Sequence, residues 1–186
     1  MGMKQILLMI ALVALVAGCG TTKVDPNAPA NIPDPIVEEE VRKKLKRPTG
    51  ELTNADLANV TGLYLYGTKI TDAGLKDVAK LQNLDRIYLG RTLITDAGLK
   101  DLAKLQNLTE LYLRDTKITD AGIKDIAKLQ NLTALYLGGT KITDAGIKEL
   151  AKLQNLTSLG LQQTKITDAG AAELQKVLPN CNITGP

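Results

Sequence analysis

Residues 108–131, LTELYLRDTKITDAGIKDIAKLQN, decide how the rest of the chain is read. Near-copies flank this stretch on both sides. The pentapeptide Ile-Thr-Asp-Ala-Gly begins at Ile70, Ile94, Ile118, Ile142 and Ile166 with no slip in register. A fixed period of 24 residues is the signature of a stacked architecture, in which each unit buries its apolar face against its neighbours. Within the unit, Leu111 and Leu113 alternate with Tyr112, the period-2 pattern of a strand with one buried face. Thr119 then suits a helix N-cap and Asp120 the first helical turn. Ile123, Ile126, Ala127 and Leu129 follow at helical spacing, up to Gln130-Asn131. The expectation is one strand and one helix per unit, in five units over residues 60–179.

The pattern from Leu108 to Ile118, L-x-x-L-x-L-x-x-T-x-I, resembles the leucine-rich repeat, with Thr where Asn is commoner. The resemblance implies an α/β fold, a right-handed horseshoe of ribonuclease-inhibitor type with parallel strands on the concave face and helices on the convex face. It also assigns Thr68, Thr92, Thr116, Thr140 and Thr164 to capping backbone groups between successive coils. The TDAGL phrasing is similar to the repeats of F-box substrate receptors as well, over the repeats alone; no F-box is visible. Ahead of the repeats, Asp34-Pro35 reads as N-cap and first helical residue. Ile36, Val37, Val41 and Leu45 fall on one helical face, and residues 52–57 look like a shortened repeat. Residues 35–59 thus cover the first apolar edge, as a solenoid requires, and resemble the N-terminal cap of internalin-like bacterial proteins. In residues 180–186, Cys181 and Ile183 alternate like a closing short strand, with Cys181 packed as a small hydrophobe.

The first residues read as an address. Lys4 precedes an apolar run from Ile6 to Val16, about 16 Å as a helix and well short of a bilayer core. That is a secretory signal peptide, residues 1–18, and Val16-Ala17-Gly18-Cys19 resembles the bacterial lipobox. What the resemblance implies is cleavage after Gly18, diacylglycerol on the Cys19 thiol and acylation of the new amine, an anchor firmer than one chain provides. An ordinary signal peptide with a chance Cys is the plainer alternative. Met1-Gly2 does not make a myristoylation site, because Ile6 stands where Ser or Thr is required. Under the lipoprotein sorting rule, Gly20 in place of Asp points to the outer membrane where the organism has one. Residues 19–34, with Pro26, Pro29 and Pro33, read as a disordered tether.

Composition narrows the chemistry. The chain has no His, Phe or Trp, five Tyr and a net charge of +3. Without His there is no Ser-His or Cys-His nucleophile pair and no imidazole metal site, so an enzyme, a cofactor or a metal site is not expected. Charges of both signs alternate along each unit, which argues against nucleic acid as partner. Asp72, Asp96, Asp120, Asp144 and Asp168 read as first-turn helix acids rather than calcium ligands. Asp72 with Lys76, and each counterpart, makes an i,i+4 pair of about 0.2–0.5 kcal/mol. Asn107-Leu108-Thr109 and its copies match a glycosylation sequon, but the Leu is a core position and the export route bacterial.

In a fold of this family the residues between the strand leucines leave the concave face. Tyr64, Tyr88, Tyr112 and Tyr136 hold those positions, Tyr66 stands two residues beyond Tyr64, and Arg86, Arg91, Glu110, Arg114 and Asp115 stand beside them. Tyr and Arg are favoured at binding hot spots, so this strip is the candidate surface for a protein partner, or a glycan, on a monomeric, lipid-anchored protein of the bacterial envelope. Two readings stay open. Cross-strand tyrosines also stabilise a sheet by about 0.2–1 kcal/mol per pair, and a spacer or assembly component with no concave-face ligand would need no more than that.

Overall fold

The computed structural model describes residues 24–186. The expected signal peptide, Cys19 and the first residues of the expected tether lie outside them. The chain coils into a six-stranded, fully parallel sheet in sequence order: β1 Gly62–Tyr64, β2 Arg86–Tyr88, β3 Glu110–Tyr112, β4 Ala134–Tyr136, β5 Ser158–Gly160 and β6 Asn182–Thr184. Every strand pairs with the next at an offset of one repeat, so Leu63, Ile87, Leu111, Leu135, Leu159 and Ile183 form one row across the sheet. Between strands the chain returns through short helices: α3 Asp72–Val78, α4 Asp96–Leu102, α5 Asp120–Ile126, α6 Ile147–Leu150, which a 3-10 turn at Asp144–Gly146 introduces, and α7 Asp168–Val177. Strands on one face and helices on the other is the arrangement the repeat pattern implied.

The core is a stack of equivalent layers. In the coil of β3, Leu111, Leu113, Ile118, Ile123, Ile126 and Leu129 are all buried, and the same positions recur in the coils on either side. Each such side chain contributes about 1.5–3 kcal/mol by leaving water. Stacking is what makes that burial complete, because one coil alone leaves both of its flat faces wet.

Polar groups join the coils in a way that the motif itself explains. Asp72 accepts from the backbone N–H of Thr95 at 2.7 Å and from its hydroxyl at 2.6 Å. Asp96 does the same for Thr119, Asp120 for Thr143 and Asp144 for Thr167. The glycine three residues after each of those threonines lies under that carboxylate: a Cβ on Gly98 would stand 2.6 Å from Asp72 Oδ1, and one on Gly122 would collide with Asp96. Thr, Asp and Gly of Ile-Thr-Asp-Ala-Gly are therefore one joint between successive coils. In the first coil Asp34 takes the carboxylate's place beside Gly74 while capping Ile36 and Val37.

Three expectations are corrected here. The aspartates do occupy the first turn, but Asp72, Asp96, Asp120 and Asp144 bond the next coil rather than Lys76 and its counterparts; the ion pairs of the repeat units are Lys80–Asp77, Lys104–Asp101, Lys128–Asp125 and Lys152–Glu149, three residues apart. The threonines at 68, 92, 116, 140 and 164 donate to the carbonyl three residues back in their own coil. The bond between coils falls instead to Asn83, Asn107, Asn131 and Asn155, whose side-chain amides donate to Ala58, Gln82, Gln106 and Gln130. Finally, residues 24–34 are not a free tether. Ala30 donates to Leu52 at 2.7 Å, Asn54 to Ala28 and Ala55 to Pro26, Pro29 bridges Thr53 antiparallel, and Ile32 is buried. Proline withholds its own N–H, but the alanines between the prolines keep theirs, and the half-repeat offers an edge to pair with.

That half-repeat is the short helix α2, Asn54–Ala58, closed by a capping box between Thr53 and Asp56. Helix α1, Pro35–Leu45, lays Val37 and Val41 on the first coil and ends at Lys46 in a left-handed C-cap. At the other end Cys181 is buried and, among the described residues, unpaired, and its desolvation pushes the thiol's pKa up, away from the reactive thiolate.

Candidate functional site

The strand positions that leave the sheet form columns running along the solenoid. One reads Gly62, Arg86, Glu110, Ala134, Ser158, and the next Tyr64, Tyr88, Tyr112, Tyr136, Gly160. Beyond the strands come Tyr66, Gly90, Arg114, Gly138, Gln162, then Gly67, Arg91, Asp115, Gly139, Gln163. All ten residues singled out from the sequence stand in these four columns.

The tyrosines touch one another. Tyr88 and Tyr112 stack with ring centroids 4.2 Å apart and planes 14° from parallel, and Tyr112 and Tyr136 at 4.7 Å and 10°. Inside that stack the ring faces cover each other, and its last ring lies over Gly160, where a Cβ would stand 2.8 Å away. The Tyr112 hydroxyl donates to Glu110 at 2.8 Å, and that of Tyr136 is 3.0 Å from the Ser158 hydroxyl. Burial first, then the Glu110 carboxylate, raises the Tyr112 pKa above the usual phenol value. At the N-terminal end the stack opens. Tyr64 tilts 47° from Tyr88, and Tyr64 and Tyr66 are 54% and 39% exposed. Free ring face is therefore found chiefly in the first coil, on Tyr64 and Tyr66.

The charged residues pair with the neighbouring coil: Arg86 Nε lies 3.0 Å from Glu110, and Arg91 Nε 3.1 Å from Asp115, which Arg114 also approaches at 3.7 Å. Attraction to Glu110 raises the Arg86 pKa, and the hydrogen bond that Arg91 donates to Asp115 raises that of Arg91. Arg91 also lies 5.7 Å over the Tyr66 ring, within cation–π range. A shallow trough of about 350 Å³ runs along Tyr64, Tyr66, Tyr88, Gly90, Tyr112 and Arg114.

One feature of the strip is invisible in the residue types. The turn position after each of the strands β1 to β5 is left-handed, and Gly67 and Gly139 meet it with φ of 72° and 70°. Arg91, Asp115 and Gln163 hold the same conformation with φ of 55°, 56° and 58°. A side chain there costs about 1–2 kcal/mol, and Asp tolerates it better than Arg. The Asp115 side chain in turn lies over Gly139, whose bareness makes room for it. Reading the strip from sequence also passed over Lys44 of helix α1 and Asp85, which border its N-terminal end. The available signal was Asp85 itself, standing where other coils carry Thr61, Thr109, Thr133 and Thr157.

Two descriptions of leucine-rich repeats match the chain, a two-copy one over residues 106–152 and a single-repeat one over residues 152–174. Among solved structures, an internalin from Listeria monocytogenes is similar at 30% identity and a TM-score of 0.68, over 84% of this chain and 45% of that one. A leucine-rich-repeat protein from Leptospira interrogans is similar at 26% identity and a TM-score of 0.51, over 70% of this chain and 38% of that one. The chain thus spans less than half the length of either. No curated protein sequence matches it.

Proposed function

Starting from a leucine-rich-repeat protein, a kind of domain that generally serves as an interaction scaffold, we propose that this chain is a non-catalytic, membrane-anchored binding protein that holds a protein partner against its concave face. The observation that carries this is the backbone at Arg91 and Asp115. Two coils meet the left-handed turn with glycine, while three bear its strain, and the two adjacent ones among these thereby keep an arginine and an aspartate on the rim beside the tyrosines. Strain of this kind is retained where the side chain is wanted, and Arg beside exposed Tyr is the composition of a binding hot spot. A protein is favoured over a glycan, because Tyr88, Tyr112 and Tyr136 spend their ring faces on each other, and a sugar would need those faces.

The anchor is the lipid on Cys19, and the place is the bacterial envelope, the outer membrane where there is one. Five residue steps link Cys19 to Val24, a reach of at most about 18 Å whatever their conformation. The partner is therefore met close to the lipid surface. A spacer role remains as second reading, favoured by the same tyrosine stack and by hydroxyls already partnered within the protein.

The test is the double variant Arg91→Gly/Asp115→Gly, which installs the residue that sister coils use. Capture of envelope proteins by the full-length protein should fall while the fold persists. Undiminished capture of the same partner would leave the spacer reading standing.

A further inference from the structure

The departures from the repeat are not scattered; several of them converge on one cavity. At the junction of helix α1 with strands β1 and β2 lies a cavity of about 590 Å³, bordered by Lys44, Gly62, Tyr64, Asp85, Arg86 and Tyr88. Gly62 leaves its floor open where the following coils carry Arg, Glu, Ala and Ser. Asp85 brings a carboxylate to a position where four other coils place a threonine. Three of those, Thr109, Thr133 and Thr157, donate their hydroxyls to the preceding coil, a bond that a carboxylate cannot donate. Lys44 comes from the cap and extends its ammonium over Gly62, 3.9 Å from where a Cβ would be.

The charges here are uncommitted in a particular way. Arg86 is held by Glu110. Among the described residues, however, the Asp85 carboxylate and the Lys44 ammonium make no ion pair or side-chain hydrogen bond, with each other or with anything else. Two opposite charges face one cavity without neutralising each other, while the Tyr64 and Tyr88 rings form an apolar wall between this cavity and the trough. The volume is that of a small-molecule site. A ligand with one charge would satisfy one group and oppose the other. A ligand carrying both would satisfy each and lay its apolar part on the tyrosines.

We infer that this cavity binds a small zwitterionic molecule of the amino acid or short peptide class, its ammonium at Asp85, its carboxylate at Lys44 beside Arg86, and its side chain against Tyr64 and Tyr88. The binding does not depend on the strip's holding a protein partner, since neither Arg91 nor Asp115 borders the cavity.

The test is calorimetric titration of the full-length protein in detergent with L-alanyl-L-leucine, its N-acetyl derivative and its C-terminal amide. The free dipeptide should bind one to one, and blocking either end should weaken binding about tenfold, as expected for loss of a charge-assisted contact. Asp85→Thr restores the repeat's own residue, so the fold is kept; it should abolish the distinction between free and acetylated dipeptide. Lys44→Ala should abolish the distinction between free and amidated. The inference is overturned if the free dipeptide does not bind, if either blocked form binds as well as the free one, or if Asp85→Thr changes nothing. Loss of partner capture in the Arg91→Gly/Asp115→Gly variant, with dipeptide binding intact, separates the two surfaces.

Discussion

A carboxylate on a helix has several donors within reach, and which it takes depends on how well each donor is held. Asp96 is four residues before Lys100, whose flexible chain loses entropy in pairing at the surface. It is also beside the backbone N–H and hydroxyl of Thr119, both fixed by the coil, and those are what it bonds. The glycine of the motif follows from that choice. Gly122→Ala should destabilise the protein by about 1–3 kcal/mol through overpacking against Asp96 and Leu99, read as a lowered urea midpoint. The same change in an Asp96→Ala background should cost clearly less, because the colliding oxygens are gone. Equal costs in both backgrounds would refute the joint. Arg91 and Asp115 run the other way. Relief of left-handed strain outweighs the added chain entropy of glycine, so Arg91→Gly/Asp115→Gly should be as stable as the parent or about 1 kcal/mol more stable, although it loses an exposed ion pair. A variant that binds less and melts later would separate recognition from folding.

At the level of elements, the segment before helix α1 changes the picture of the N-terminal end. Residues 24–34 extend the cap by pairing with the half-repeat, and Ile32 is the side chain that seats them. Ile32→Ala should cost about 2 kcal/mol, toward the low end for a buried isoleucine because the site lies at the edge of the core. In a quasi-one-dimensional fold the loss should stay local. Hydrogen exchange should quicken at the amides of Ala30, Asn54 and Ala55 and remain unchanged in β4 and β5; uniform loss of protection would show that the cap and the coils open together. The tyrosine column has its own lesson at this scale. Alternation along a strand places Tyr112 outside the core, but whether its ring lies flat on the sheet or upright against Tyr88 depends on the neighbouring columns. Gly90 and Gly160 give the rings of Tyr66 and Tyr136 space to lean over.

For the whole molecule, the anchor and the solenoid have to be considered together. With the proposed lipid on Cys19, the five residue steps to Val24 would hold the N-terminal end of the solenoid near the membrane, a different situation from a domain on a long stalk. Intact mass measurement of the mature protein should find Cys19 as the first residue, carrying diacylglycerol and an N-acyl chain, and Cys19→Ala should release the protein from the membrane fraction. An unmodified Cys19 would sink the anchor. The period of 24 residues, with its alternation and its helical spacing, determined by itself that the chain stacks, that each unit holds one strand and one helix, and which side chains make the core, although helix α5 ends at Ile126 and not at the expected Gln130-Asn131. It could do so because those facts depend on local periodicity and burial, and the repeats supply them five times over. It also marked out, by their failure to repeat, Arg91, Glu110, Arg114 and Asp115. Only the tertiary structure decided what these groups do with one another: that Asp96 joins Thr119 and not Lys100, that a proline-rich segment packs instead of trailing, that Arg91 and Asp115 sit in a left-handed backbone, and that Lys44 of the cap and Asp85 of the second coil share a cavity. Each is a choice between competing partners, and residues far apart in the chain become competitors only once the coils are stacked.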